Sequence, residues 1–179
     1  LEGPKNLKAS LKLFPFSFEL TYLLDGRLSR VTFNLYLHPE RSEILFEEET
    51  LRIPVAEFLA KLRAYLQGRI SYIDLPHHLK VKDFTRKVLS LLREIPPGKT
   101  LTYQEMAGLL KCPKAVRAVA KALASNPLPL LYPCHRIISK KGLGGFSQGM
   151  LLKWLLLHWE RTYKNFDMKK ASVNFLTKA

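Results

Sequence analysis

The sequence predicts an α+β fold in which a small β-sheet with one helix precedes a run of helices. Three observations carry this expectation. The first forty residues alternate apolar with polar positions and are rich in aromatics. From residue 83 onward apolar residues recur three and four apart, and prolines and glycines mark the junctions. At 179 residues, 47% hydrophobic and 25% charged, the chain suits one domain or two small ones, at about 150 residues per domain. It is too apolar for a disordered tail. The expected division is an N-terminal α/β domain with its connecting segment over 1–78, a helical domain over 79–165 and a basic tail over 166–179.

The elements follow in order. Leu11–Phe14, Phe16–Leu24 and Leu28–Leu37 read as strands, with Asp25-Gly26 as a hairpin turn because both residues tolerate positive φ. Pro54 suits the first turn of a helix running through Val55–Gln67, which Gly68 ends. Asp83–Ile95 is an amphipathic helix stopped by Pro96-Pro97-Gly98. Thr102 or Thr100 can cap a helix over Tyr103–Leu110, with Glu105 three residues after Thr102 as in a capping box. Another helix runs Lys114–Ser125 and ends at Asn126-Pro127. Two short helices joined by a few residues, the second small and basic on one face, have a helix-turn-helix arrangement; an ordinary helical hairpin is the alternative. From Arg161 onward the lysines make a basic tail.

Charge is unevenly placed. Residues 1–79 carry ten Lys/Arg against ten Asp/Glu, and residues 80–179 carry nineteen against five, so the whole net charge of +14 lies in the second part. Such asymmetry fits a polyanion partner, since phosphate contacts release counterions, or else a basic solvated surface. No apolar run approaches the roughly 18 residues that span a bilayer, and the first residues lack a signal peptide's order. Two cysteines make no disulfide framework. A soluble, intracellular protein without membrane association is expected.

Pro127-Leu128-Pro129-Leu130-Leu131-Tyr132-Pro133 cannot be helical and delivers Cys134-His135-Arg136 to a fixed place. A thiol between such neighbours is a candidate nucleophile of lowered pKa; a small buried hydrophobe is the plainer reading. The glycine-rich run Lys141–Gly149 lets backbone approach a ligand closely. His77-His78 and Cys134-His135 lack the spacing that closes a tetrahedral metal site, and the glycine run lacks the Gly-Lys-Ser/Thr of a phosphate loop.

The run Asn126-Pro127-Leu128-Pro129-Leu130-Leu131-Tyr132-Pro133-Cys134-His135-Arg136-Ile137 resembles the long, specific signature of the O6-alkylguanine-DNA alkyltransferases, also called methylated-DNA–protein-cysteine methyltransferases. The similarity extends upstream through Pro97-Gly98-Lys99, Thr102-Tyr103-Gln104 and Pro113–Val119, and downstream through the glycine loop to Lys153 and Glu160. It covers about half of the chain, and the first eighty residues match only a β-then-α, ribonuclease H-like outline.

The resemblance implies repair by direct reversal, with the alkyl group of O6-alkylguanine, and by extension O4-alkylthymine, moved irreversibly to Cys134. It implies a base flipped out through the minor groove, double-stranded DNA carrying alkylated guanine as partner, a monomer and no cofactor. His135 would be the base acting through a water, Glu160 its orienting group, Tyr103 a proton donor that also presses on a phosphate, and Asn126 the tie between recognition helix and reactive segment. Arg117 would fill the space of the flipped base, with Ala115, Ala118, Lys121 and Arg136 as further DNA contacts. Phe146, Ser147 and Gly149 would line the base pocket with Tyr103 and Cys134. Three departures stand out: Ala120-Lys121 where many members have Gly-Gly, Phe146 where Tyr is common, and no cysteine before Cys112, so an N-terminal zinc site is absent. Cys112 reads as structural. A non-catalytic binder of alkylated DNA is the alternative function; a Cys–His hydrolase and a thiol-sensing regulator fit less well.

Overall fold

The computed structural model describes residues 6–13, 15–37 and 41–163, so the tail over 166–179 lies outside the described residues. Four strands, β1 (Asn6–Leu13), β2 (Phe16–Leu23), β3 (Leu28–Leu35) and β4 (Glu43–Phe46), form one antiparallel sheet in the order β3-β2-β1-β4. The alternation in the sequence becomes one buried face: Leu7, Ala9 and Leu11 on β1, Phe16, Phe18, Leu20 and Tyr22 on β2, Leu28, Val31 and Phe33 on β3. Helix α1 (Arg52–Leu66) covers it, with the Phe58 ring set edge-on 5.5 Å from Phe18 and Phe18 stacked 5.6 Å from Phe33.

Two details differ from expectation. The hairpin is longer than an Asp-Gly two-residue turn. Gly26 alone takes positive φ, at 81°, the Leu23 N–H donates to the Arg27 carbonyl at 2.8 Å, and the Asp25 carboxylate accepts from the Arg27 backbone. Asp25 is thus an Asx-type stop, not a left-handed residue. Strand β4 escaped the sequence reading because it has no buried side to produce alternation; Ile44 and Leu45 are exposed.

The outer edge of β3 is capped by the rest of the chain. Leu28 N–H donates to Pro76 O, Val31 N–H to Pro127 O and Phe33 N–H to Gln148 Oε1, at 3.0, 2.9 and 2.9 Å. An otherwise bare strand edge thereby becomes the platform for the segment that leads to Cys134 and for the glycine loop.

The second half contains α2 (Asp83–Leu92), β5 (Leu101–Thr102), α3 (Tyr103–Leu109), α4 (Val116–Ala124), β6 (Ile137–Ile138) and α5 (Met150–Tyr163). Val88, Leu89, Met106, Ala107, Val119, Leu123, Leu152 and Leu156 form its core. Helix α4 starts two residues later than expected because Ala115 N–H closes a turn onto Cys112 O at 2.8 Å. Arg161 sits in the last turn of α5, not in a tail. The run Leu-Leu-Lys-Trp-Leu-Leu-Leu within α5 is apolar nearly all round, so its helical period is hidden. The α3 capping box is formed: Thr102 Oγ1 accepts from Glu105 N–H at 3.1 Å and Glu105 Oε2 accepts from Thr102 N–H at 2.7 Å. Parallel pairing of β5 with β6 then places the start of α3 beside the chain leaving Cys134-His135-Arg136. Thr102→Ala is expected to cost about 1 kcal/mol of folding stability, read as a lowered urea midpoint at unchanged slope.

Candidate active site

The segment after α4 is held by hydrogen bonds that a helix or strand would have supplied internally. Asn126 is buried; its Oδ1 accepts from Leu128 N–H at 3.0 Å, and its Nδ2 donates to Tyr132 O at 2.8 Å and to Cys134 Sγ at 3.2 Å. The side-chain amide therefore joins the end of α4 to the sulfur. Leu130 adopts φ 74°, a left-handed conformation unfavourable for a branched side chain, and Ile73 N–H holds its carbonyl at 3.0 Å. Cys134-His135-Arg136 form a single 3₁₀ turn.

Cys134 is buried, at 6% exposure. Burial pushes its pKa up, and the Asn126 hydrogen bond and the Lys153 charge pull it back without overcoming burial. The expectation of a thiol acidified by its neighbours is therefore corrected. Burial also lowers the pKa of His135, which leaves the ring neutral near pH 7, and the Arg136 charge is engaged by a carboxylate. Neither adjacent residue acts on the sulfur as a free cation.

Glu160, on α5 and 4% exposed, is the centre of the site. It accepts from His135 Nε2 at 2.9 Å, Tyr65 OH at 2.7 Å, Gly98 N–H at 2.9 Å and Arg136 Nη2 at 2.7 Å. Burial drives the carboxyl pKa up, but His135 and Arg136 outweigh it and hold the group well below the usual carboxylate range. With His135 Nε2–H on Glu160, Nδ1 is the lone-pair nitrogen. It is buried and takes no hydrogen bond among the described residues.

Arg136 corrects a second expectation. It is fully buried and cannot be a DNA contact: Nη1 donates to Ile95 O at 2.7 Å, Nη2 to Ser71 O, and the head pairs with Glu160. Its charge is neutralised within the core, so nothing remains for a phosphate. Tyr65, from α1, was missed by the sequence reading because it falls on the apolar face of its helix, where hydroxyl and ring are indistinguishable by spacing. Gly98 stood in the sequence as a helix stop and a point of resemblance, with no hint of a carboxylate partner. Its φ is 74°, and a Cβ there would lie 3.2 Å from the Glu160 backbone oxygen, so glycine lets its N–H reach the carboxylate.

The glycine loop lies against the same site. A Cβ on Gly144, at φ 69°, would stand 3.0 Å from Tyr103 Cε2 and 3.0 Å from Ser139 N. Tyr103, half-buried and hydrogen-bonded to Gly145 backbone, has its pKa raised by burial and keeps its proton at neutral pH. Lys153, fully buried on α5, donates to Ile137 O and to Gly145 O; burial lowers its pKa to about 8. The sequence offered Lys153 only as a point of resemblance, since a lysine in an apolar helix face gives no hint of carbonyl partners. Phe146 sets its ring edge-on to His135 at 6.4 Å and to Phe33 at 6.3 Å, while Ser147 and Gly149 are exposed at the rim.

On α4 the buried side is Val119, Ala122 and Leu123; Arg117, Ala118 and Lys121 face outward together, with Ala115 half-buried at the helix start. Cys112 is exposed in the α3–α4 turn, where its N–H donates to Ala107 O at 3.0 Å and its carbonyl accepts from Ala115 N–H at 2.8 Å. Among the described residues no group of three or more His, Cys, Asp or Glu could hold a metal ion, and no helix is long and apolar enough to cross a membrane.

Fold and site define a class: helix-turn-helix proteins that carry a cysteine against a buried His–Glu pair. Residues 83–162 match the family described as 6-O-methylguanine DNA methyltransferase, DNA binding domain. The methylated-DNA–protein-cysteine methyltransferase of Methanocaldococcus jannaschii is 40% identical over 120 residues, 66% of this chain and 71% of that protein. The O6-methylguanine methyltransferase of Mycobacterium tuberculosis is similar in structure, with TM-score 0.67, 26% identity and coverage of 89% of this chain and 95% of that one. Mycobacterium tuberculosis OGT, solved in complex with DNA, gives TM-score 0.63 at 27% identity, covering 82% and 88%. The chain belongs to the methylated-DNA–protein-cysteine methyltransferase family.

Glu160 generates a stability prediction. Its folded pKa lies below the unfolded value near 4.5, so its contribution is complete at neutral pH and drains away as pH falls below about 4.5 toward the folded value. Glu160→Gln is expected to lose about 3–5 kcal/mol at pH 7 by leaving the Arg136 charge unpaired, and to flatten the acid limb, both read by urea unfolding from pH 7 to pH 3.

Proposed function

We propose that the chain repairs alkylated DNA by moving the alkyl group of O6-alkylguanine onto its own Cys134, with O4-alkylthymine as a second substrate. The observation that carries this reading is the polarised chain behind the sulfur: Glu160 fixes His135 through Nε2, which leaves Nδ1 free to take a proton. The thiol proton passes through a water to His135 Nδ1, and Glu160 stabilises the imidazolium so formed. A thiol of raised pKa suits this route, because the base ionises it at the moment of attack. The sulfur then bonds to the alkyl carbon as the carbon–oxygen bond breaks; the electron pair stays on the guanine oxygen, and Tyr103 supplies a proton to the purine. The product is a thioether, which no neighbouring group is placed to cleave, so each chain acts once and no cofactor is needed.

The same reading assigns the surface. The outward face of α4 enters the minor groove, with Arg117 in the gap left by the rotated base, and Ala115, Ala118 and Lys121 against the backbone. Ala118 is small enough for close approach, and Lys121 exchanges a closer fit for a phosphate contact. Tyr103 presses on the adjoining phosphate. Phe146 stacks on the base, its ring already braced by Phe33, and backbone at Ser147 and Gly149 reads the purine edge. Residues 1–78 serve as scaffold and 79–165 as the acceptor domain. The protein works as a monomer on double-stranded DNA inside the cell.

Incubation with a duplex carrying labelled O6-methylguanine should stop at equimolar transfer, with about one methyl group per chain found on Cys134 by peptide mass. Continued turnover, or binding without label on Cys134, would replace this reading by a hydrolase or a non-catalytic binder. Arg117→Ala should slow duplex repair by about tenfold or more, the equivalent of about 1.4 kcal/mol, while sparing reaction with free O6-benzylguanine. Equal losses on both substrates would remove Arg117 from base rotation.

A further inference from the structure

We propose that Tyr132 is a positioning residue for the Cys134 thiol, clamped by His77 and Arg93; this rests on Cys134 being the alkyl acceptor. The Tyr132 carbonyl is the point on which the sulfur's placement turns. It accepts from Cys134 N–H at 2.7 Å and from Asn126 Nδ2 at 2.8 Å, and that same Nδ2 donates to Sγ at 3.2 Å. A shift of residue 132 therefore moves the amide and the sulfur relative to one another.

Its side chain is gripped at two points, hydroxyl and ring, by groups the alkyl-transfer chemistry does not use. The hydroxyl meets His77 Nε2 at 2.8 Å, and His77 Nδ1 lies 2.7 Å from Leu75 O. A carbonyl only accepts, so Nδ1 carries a proton, and Nε2 is the ring atom that pairs with the Tyr132 hydroxyl. The Arg93 guanidinium lies 4.4 Å from the centre of the Tyr132 ring and 4.7 Å from that of Tyr72. Arg93 Nε also donates to Leu131 O at 3.1 Å, and Nη1 lies 3.5 Å from Asp74. One arginine thus holds both the backbone of residue 131 and the ring of residue 132.

The connecting segment supplies most of this clamp: Tyr72, Ile73, Asp74 and His77 all touch Arg93 or residues 130–132, and Leu75 holds the His77 ring. It acts where the chain is strained, next to Leu130 with its positive φ. A segment forced into that conformation, and interrupted by prolines at 129 and 133, has no regular ladder to fix it. Side chains must do so, and Tyr132, two residues before the cysteine, is one that distant elements hold. His77, set aside in the sequence as a poor metal ligand, takes this role instead.

Tyr132→Phe, His77→Ala and the double variant, all in a Cys112→Ser background that removes the exposed thiol, test the proposal. Three quantities are read: the single-turnover transfer rate at saturating O6-methylguanine duplex, the DNA dissociation constant, and the midpoint of the Cys134 thiol titration followed by iodoacetamide reaction. Each single variant should transfer about tenfold more slowly, as misplacement of a reacting group predicts, with DNA affinity within about twofold. The titration midpoint should rise as the Asn126–sulfur contact loosens, and the double variant should be no slower than the slower single variant. Wild-type rates and midpoints accompanied only by a lower melting temperature, or fully additive losses, would overturn it. If Tyr132→Phe fails to fold, His77→Ala, in the half-buried connector, decides alone. If the unaltered chain transfers nothing to Cys134, the alkyl-acceptor reading fails, while the iodoacetamide midpoints still decide whether the clamp sets the thiol.

Discussion

The structure depends on one buried carboxylate. Glu160 collects His135, Arg136, Tyr65 and the Gly98 amide, drawing α1, the turn after α2, the 3₁₀ turn and α5 to a single point. An anion taken from water is costly unless its lone pairs are filled, and here one full cation and three neutral donors fill them. The arrangement is all-or-none in character. Each donor is satisfied only if the others have already brought the carboxylate into position, which makes the site a cooperative feature of the fold rather than an addition to its surface.

That economy explains how three consecutive residues divide their work. Cys134, His135 and Arg136 share one turn, yet the sulfur meets an amide, the imidazole meets Glu160 from one side, and the guanidinium passes into the core to reach carbonyls of residues 71 and 95. A strand would have sent alternate side chains to opposite faces. The 3₁₀ turn fans them apart, and the cation of the trio ends as an anchor. With its charge neutralised there, the thiol stays protonated at rest, a state that spares it adventitious oxidation, because the thiolate is the reactive form.

Much of this was legible in the sequence. The aromatic alternation of β1–β3, the Thr102–Glu105 cap and the pair α3–α4 rest on local rules, and local rules are what a sequence displays. The signature around Cys134 pointed to the turn that holds Cys134, His135 and Arg136. What escaped was set by distant partners: nothing in the sequence near Arg136 indicates that its carbonyl acceptors lie 41 and 65 positions away. Tyr65 looked like any apolar-face residue, and the thiol's raised pKa reflects burial that only the assembled core produces. Strand β4 and helix α5 were hidden for opposite reasons, one having no buried side and the other scarcely any polar one.

The family match over residues 83–162 contains the cysteine, the histidine, the glutamate and the helix-turn-helix, and the chemistry could be thought to reside there alone. The contacts argue otherwise. Tyr65 supplies a hydroxyl to Glu160, Ser71 a carbonyl to Arg136, Phe33 both a ring to Phe146 and an N–H to Gln148, and Ile73 an N–H to Leu130. Cutting before residue 83 would leave a buried guanidinium short of an acceptor, a carboxylate short of a donor, and a glycine loop without its support on β3. Such losses in a low-dielectric core exceed the worth of the bonds themselves, because the remaining partners stay desolvated and unpaired. The N-terminal sheet and helix, neutral in charge and carrying none of the proposed reacting groups, are therefore what keeps the Cys134-His135-Arg136 turn in one conformation.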